Sequence, residues 1–339
     1  MFTPDTPVFI IAEMSANHGQ DFAKAVNILH AAREAGADAV KIQTYTPDTI
    51  TIDCDSDLFR IDTPPWEGRT LHELYGEAYT PWEWQPELKR IADDLGIVLF
   101  SSPFDETAVD FLETINVPCY KIASFELVDI PLIRKVARTN KPVIMSTGMS
   151  TKAEIEEAVS AFHQAGGTEL ALLKCVSSYP APPEAMNLNT IPDMARRFSV
   201  ATGLSDHTLG SSVAVASVAL GARIVEKHFT LSRDDQGPDS SFSMEPKEFA
   251  DMVQAIRTVE KALGSPSYGP GKSEKSSGKY RRSLFVTADM DQGDTFTEAN
   301  VRSIRPAMGL HTRHRDEILG RKAKTAISRG TPLAWDLID

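Results

Sequence analysis

The sequence predicts an α/β chain: a closed (β/α)8 barrel followed by a small β-rich or mixed C-terminal domain. Three observations carry that prediction. Between Val8 and Gly264, short apolar runs alternate with longer amphipathic ones roughly eight times, the pattern of a parallel sheet and the unit count that closes a barrel. Glycines at 36, 96, 166, 221 and 264 follow the amphipathic runs directly, where helices stop. No Gly-rich dinucleotide loop supports the structural alternative, an open doubly wound sheet.

In order, 8–13 reads as strand and 22–35 as helix, then 39–43 as strand. A long loop leads to a helix over 83–95. The remaining pairs are strand 97–101 with helix 106–114, 119–123 with 132–138, 143–146 with 152–165, 170–175 with 191–198, 200–204 with 211–220, and 223–228 with 247–263. Residues 265–277 are rich in Ser, Gly, Pro and Lys and read as a linker. Beyond them, 283–288, 301–305 and 322–326 read as short strands, with turns at Gln292-Gly293-Asp294 and Arg329-Gly330. The predicted domains are 1–264, a linker at 265–279, and 280–339, the last small enough to be a lid or interface element.

A net charge of −12 argues against non-specific binding to nucleic acid or to an anionic membrane face. Val8 to Ala12 is apolar but short, lacks a basic leader and ends at Glu13, so it reads as a buried strand rather than a signal peptide. Later apolar runs are too short to span a bilayer. Cys54, Cys119 and Cys175 are odd in number and lack metal or redox spacing, so they read as reduced thiols in a cytoplasmic protein.

Chemistry concentrates where the strands end, which in a barrel of this kind is the active-site face. His207, in Gly203-Leu204-Ser205-Asp206-His207-Thr208, and His228, in Glu226-Lys227-His228-Phe229-Thr230, each close a strand. Two imidazoles there, with Asp206, Glu226 and Asp239 nearby, suggest a divalent-metal site of mixed nitrogen and oxygen character. Other strand ends offer Glu13, Lys41 with Gln43, Ser101 with Ser102, Lys121 with Ser124 and Glu126, Ser146 with Thr147, and Lys174. Lys41 and Gln43 share a strand face, as do Glu226 and His228, which leaves Val40 and Ile42 toward the helices. A lysine inside an apolar run, as Lys121 is, needs an anion beside it. Two lysines among hydroxyls suit phosphate and carboxylate oxygens. His18 directly follows the first strand and is a further candidate.

These residues carry a resemblance. The chain resembles the sialic acid synthases over essentially its whole length, through Ile11-Ala12-Glu13 with Ala16-Asn17-His18, Gly36 to Lys41, Tyr120 to Ser124, Ser146-Thr147-Gly148-Met149, Gly203 to Thr208, Glu226 to Thr230 and Gly237-Pro238-Asp239. Within that family it is most similar to the pseudaminic acid synthase branch, through Thr44 to Thr51, Thr80 to Trp84, Ser101 to Phe111, Ala123 to Glu126 and Arg281 to Leu284. The C-terminal segment resembles the antifreeze-like (SAF) domain.

The resemblance implies a metal-dependent condensation of phosphoenolpyruvate with an amino sugar in a domain-swapped homodimer. It implies His207 and His228 as manganese or magnesium ligands, and Lys41, Ser102, Lys121, Ser124, Ser146, Tyr179 and Ser205 around phosphoenolpyruvate. Glu13 is implied as the acid/base or water-positioning carboxylate. Gln43, Glu126 and Asp239 are implied to face the sugar, and Arg305 to reach its N-acyl group from the partner chain. Ser177 stands where members acting on N-acetylmannosamine carry Asn, and Ser102 where many carry Thr, which turns the expectation toward a different acceptor. Alternatives are an N-acetylneuraminate or legionaminic acid synthase, a Schiff-base aldolase using Lys121 or Lys174, and a non-catalytic carbohydrate- or ice-binding protein.

Overall fold

The computed structural model describes residues 6–62, 66–235 and 237–339. Eight parallel strands are hydrogen-bonded in sequence order: β1 (Phe9–Glu13), β2 (Ala39–Thr44), β3 (Val98–Pro103), β4 (Tyr120–Ile122), β5 (Val143–Ser146), β6 (Leu170–Cys175), β7 (Ala201–Asp206) and β8 (Ile224–His228). β8 pairs back onto β1, so the sheet is the closed barrel that the strand and helix count predicts.

A helix follows each strand: α1 (Phe22–Glu34), α2 (Gln85–Leu95), α3 (Glu106–Thr114), α4 (Ile130–Ala137), α5 (Lys152–Gln164), α6 (Thr190–Phe198), α7 (Ser212–Ala219) and α8 (Pro246–Leu263). Their ends are locally encoded. Asp105 accepts the first amides of α3, and Thr151 with Glu154 closes a capping box on α5, contributing about 1 kcal/mol each. Gly96 stops α2 in the left-handed region at φ 66°, where a side chain would be strained. The long loop expected between 43 and 83 contains, among its described residues, two further short α-helices, Pro47–Ile50 and Leu71–Ala78. β3 and β7 run on two residues past their expected ends, through Ser102-Pro103 and Ser205-Asp206, which a search for apolar runs does not pick up.

Strand alternation sorts the barrel wall. One parity faces the helices and packs with them, as Val40 and Ile42 do on β2 and Val143 and Met145 on β5. The other parity points inward, where Ile11, Ala39, Phe100, Cys119, Ile144, Ala171, Leu173 and Ile224 form an apolar plug. Two residues further along the same inward face, the side chains become Glu13, Lys41, Ser102, Lys121, Ser146, Cys175, Ser205 and Glu226. The interior is therefore apolar toward the amino ends of the strands and polar and ionisable toward their carboxyl ends.

The chain divides at Gly264, with Ser265–Asp339 forming a second compact unit. There β9 (Ser283–Val286) pairs antiparallel with β10 (Val301–Ile304), over a core of Leu284, Val286, Phe296, Val301, Ile318 and Leu333. The strand expected over 322–326 is absent: only isolated bridges form, Thr295 to Lys322 and Ala323 to Ile338. Lys322 and Lys324 interrupt its apolar character and Ala323 alone is buried, so one inward residue replaces a continuous ladder. The stretch expected to be linker is exposed, apart from Gly278, and ends in a short 3-10 helix, Lys275–Tyr280. Among the described residues, no helix is long and apolar enough to cross a membrane.

Candidate active site

At the carboxyl ends of the strands, Glu226 of β8 is the centre of a buried ionic cluster. Its Oε1 lies 3.0 Å from Lys41 Nζ and 2.9 Å from Lys121 Nζ, its Oε2 lies 3.1 Å from the latter, and Ser205 donates to Oε1 at 3.1 Å. Burial pushes the Glu226 carboxyl up, but the two ammonium groups outweigh it and hold it well below the usual carboxylate range. Lys41 also reaches Glu13 Oε2 at 3.3 Å. With two carboxylates beside it, Lys41 is raised despite its burial, whereas burial and the Lys41 charge hold Lys121 below the ordinary amine value.

Glu13 is pushed up to about 7, chiefly by burial and with help from Glu226, against the opposing pull of Lys41, Gln43 and Lys121. Gln43 donates to Glu13 Oε1 at 2.9 Å and to Ser15 Oγ at 3.0 Å. A buried carboxyl with a value near neutrality, held by one amide and one ammonium, is suited to proton transfer.

The two histidines face each other across the β7–β8 edge, with ring centroids 5.3 Å apart. His207 Nδ1 lies 2.8 Å from the Val176 carbonyl, a contact that places the proton on that nitrogen and leaves Nε2 with the lone pair. His228 Nδ1 is buried with no hydrogen-bond partner, and Asp239 Oδ2 is 3.8 Å away. Burial, then the neighbouring His207 and Lys41, keep His228 far below its ordinary value, so its ring is neutral. Burial also depresses His207, but the Cys175 thiol and the Val176 carbonyl outweigh it and raise it.

The mixed donor set expected around these rings needs correction. Asp206 points to the helical side and is spent on Lys227, at 2.7 Å, and Glu226 is spent on the lysines. Among the described residues, no group of three or more His, Cys, Asp or Glu side chains is placed to hold a metal ion. Two imidazoles remain.

The other candidates are distributed around this centre. Ser102 and Ser146 are buried with unpartnered hydroxyls, and Ser124 Oγ accepts from the Gly148 amide at 3.1 Å. Tyr179 lies over the histidines, its ring 4.3 Å from that of His207 and 5.2 Å from that of Phe242. Glu126 is pushed up to about 7, mainly by burial, and its Oε2 is unpartnered. Asp239, raised by burial, accepts from the Ala16 amide at 3.4 Å. Arg305 is exposed in the second unit.

Four more candidates fall outside the site. Ser101 bonds Thr44 and the Ile42 carbonyl, Thr147 bonds the Leu173 carbonyl, and Lys174 donates to the Cys175 carbonyl, all consistent with the outward parity. His18 is a core histidine: it contacts Thr80 at 3.2 Å and Trp84 edge-on, and burial lowers it to about 4.

Sequence reasoning missed three contributors. Cys175 Sγ sits 3.9 Å from His207 Nδ1, and its place on the inward parity of β6 is the signal that could have shown it. Ser15 supports Gln43, and Trp66 packs near Tyr179, with ring centroids 5.8 Å apart, while donating to the Pro238 carbonyl. Trp66 lies in an irregular connection with no periodicity to reveal it.

A closed parallel barrel with titratable groups converging on its carboxyl-end rim defines the class as a (β/α)8-barrel enzyme. Within that class the chain belongs to the NeuB family, which it matches over residues 28–268, with a SAF domain over 281–339. It is 45% identical to a pseudaminic acid synthase of Helicobacter pylori, covering 98% of each chain. It is 43% identical to the pseudaminic acid synthase of Campylobacter jejuni, covering 98% of this chain and 97% of that one. A crystal structure of N-acetylneuraminic acid synthetase from Leptospira borgpetersenii, in complex with citrate, superposes with a TM-score of 0.71 at 34% identity, over 80% of this chain and 90% of that one.

Proposed function

We propose that this chain is a pseudaminic acid synthase, condensing phosphoenolpyruvate with 2,4-diacetamido-2,4,6-trideoxy-L-altrose and releasing phosphate. The observation that carries this reading is its full-length similarity to two pseudaminic acid synthases. The cluster of two lysines on one carboxylate supports it, because that arrangement suits a small, multiply charged anion.

His207 and His228 would hold a divalent metal, manganese or magnesium. His207 Nε2, left with the lone pair by the Val176 contact, and the neutral ring of His228, whose buried Nδ1 is unpartnered, fit an ion whose remaining positions are taken by water and substrate oxygens. When bound, the metal supplies Lewis acidity at the sugar's carbonyl.

Lys41 and Lys121, preorganised by Glu226, pair with the phosphate and carboxylate of phosphoenolpyruvate, and Ser102, Ser124, Ser146 and Ser205 hydrogen-bond its oxygens. Tyr179 packs beside it. The methylene carbon of phosphoenolpyruvate forms the new carbon–carbon bond with the sugar aldehyde carbon as the carbonyl π bond opens and its oxygen takes up a proton to become a hydroxyl. This leaves positive charge at the carbon bearing the phosphate ester oxygen. Glu13 positions a water and takes its proton as the oxygen adds to that carbon; phosphate then leaves by C–O cleavage. Gln43, Glu126 and Asp239 orient the sugar, and Arg305 serves the N-acyl group of the sugar bound by the partner in a homodimer. The reaction uses cytoplasmic metabolites, in keeping with three free cysteines among the described residues.

Phosphate release from phosphoenolpyruvate tests the reading, with the L-altrose-type diacetamido sugar, its D-mannose-type isomer and N-acetylmannosamine as acceptors. Release with the first alone supports it. Release only with the second or third points to a legionaminic or N-acetylneuraminic acid synthase. A lysine adduct trapped by borohydride points to an aldolase.

A further inference from the structure

We infer that the buried ion pair between Asp206 and Lys227 is a positioning clamp for the two imidazoles that hold the divalent metal. The inference rests on the reading of His207 and His228 as ligands. Asp206 and Lys227 are register partners and form the last pair of the β7–β8 ladder. Each directly precedes one of the histidines, so strand alternation puts the ion pair on the helical side and the imidazoles on the inner side.

The bonding is short and threefold. Lys227 Nζ lies 2.7 Å from Asp206 Oδ2 and donates to the Thr208 carbonyl at 2.5 Å, while Asp206 Oδ1 accepts from the Thr208 amide at 2.9 Å. The residues on both sides of His207 are thus tied to the residue before His228. Both side chains are essentially inaccessible, at 1% and 0%.

Charges so deeply buried are a poor source of stability, because well-packed apolar residues of similar volume do as well or better. What an ion pair supplies and apolar packing does not is direction. His207 lies just past the end of the β7–β8 ladder, where its main chain is held by the bond from the Ala181 amide to its carbonyl at 2.9 Å. The clamp continues the connection between β7 and β8 beyond the last backbone pair and fixes the separation of the two rings. Asp206 and Lys227 touch no substrate in this scheme; they are positioning residues.

The test uses the full chain and the manganese ion alone. In the double variant Asp206→Asn with Lys227→Met, Asn can still accept from Thr208 and no lone charge is buried. The expected result is a thermal midpoint close to wild type with manganese affinity, measured by paramagnetic resonance titration, weakened at least about tenfold. Unchanged affinity in a folded double variant overturns the clamp. If the double variant does not fold, Lys227→Arg decides: its forked head cannot repeat the two short bonds, so affinity falls at least about threefold with the fold retained, and unchanged affinity again overturns the clamp. His207→Ala is the control. If wild type binds no manganese, or His207→Ala binds it as wild type does, the metal reading fails and the clamp with it; if only the clamp variants bind normally, the clamp fails alone.

Discussion

Lys121 Nζ stands 2.9 Å from the Glu226 oxygen that Lys41 Nζ reaches at 3.0 Å, so one carboxylate restrains two ammonium groups inside the barrel. Removing that charge leaves two buried cations facing each other. Glu226→Gln is expected to lower stability to urea by about 3–5 kcal/mol, and phosphoenolpyruvate should raise its melting temperature more than it raises that of wild type. A loss below about 1 kcal/mol would mean that the lysines are not held as ions. The sign with pH follows from the depressed carboxyl: its stabilisation is present above the unfolded value of 4.5 and disappears as pH falls through the lower native value.

Glu13 carries a different signature. With its value pushed up to about 7, it is carboxylic acid below neutrality and carboxylate above. The profile of kcat/KM against pH should show a rising limb with its midpoint near that value, and Glu13→Gln should abolish the limb. The same substitution is expected to leave phosphoenolpyruvate affinity within about threefold and to reduce kcat by about 10²–10⁴. Full turnover in Glu13→Gln would remove it from the reaction.

Chelation should stop phosphate release, and manganese should restore it in wild type but not in His228→Ala. Because the metal needs neutral imidazoles and His207 is raised, protons compete at His207 first. Manganese affinity is therefore expected to fall at least about fourfold between about pH 8 and about pH 6. A flat dependence measured by titration calorimetry would argue against imidazole ligation.

Gly148 tests the hydroxyl ring through space alone. A Cβ added there would press on Ser177 Oγ and lie 2.7 Å from Ser124 Oγ. Gly148→Ala should fold with a cost of about 1–3 kcal/mol, while the KM for phosphoenolpyruvate rises at least about tenfold as Ser124 is displaced. An unaltered KM, read from initial rates, would place Ser124 away from that substrate.

The barrel was legible because it is written in local periodicities. Apolar runs and glycine stops delimit the units, and the step of two residues from Ala39 to Lys41, or from Ile224 to Glu226, puts plug and rim on one face. The same parity rule assigns Asp206 and Lys174 to the outside; reading Asp206 as a companion of the metal site ignored it. The anchoring of Lys41 and Lys121 by Glu226 was beyond local reading, because residues distant along the chain meet only once the ring has closed. In the second unit, isolated bridges stand in for one of the expected ladders, and strand propensity alone does not distinguish the two.

Closure of the ring has a further consequence. Glu13, on the first strand, has His228, on the last, as its register neighbour, and the oxygen that anchors both lysines comes from that same last strand. A nascent polypeptide leaving the ribosome therefore carries most of the rim long before any of it can be assembled. A fragment terminated ahead of Ile224 lacks the anchor and one of the two rings together, so early truncation yields no weakened catalyst.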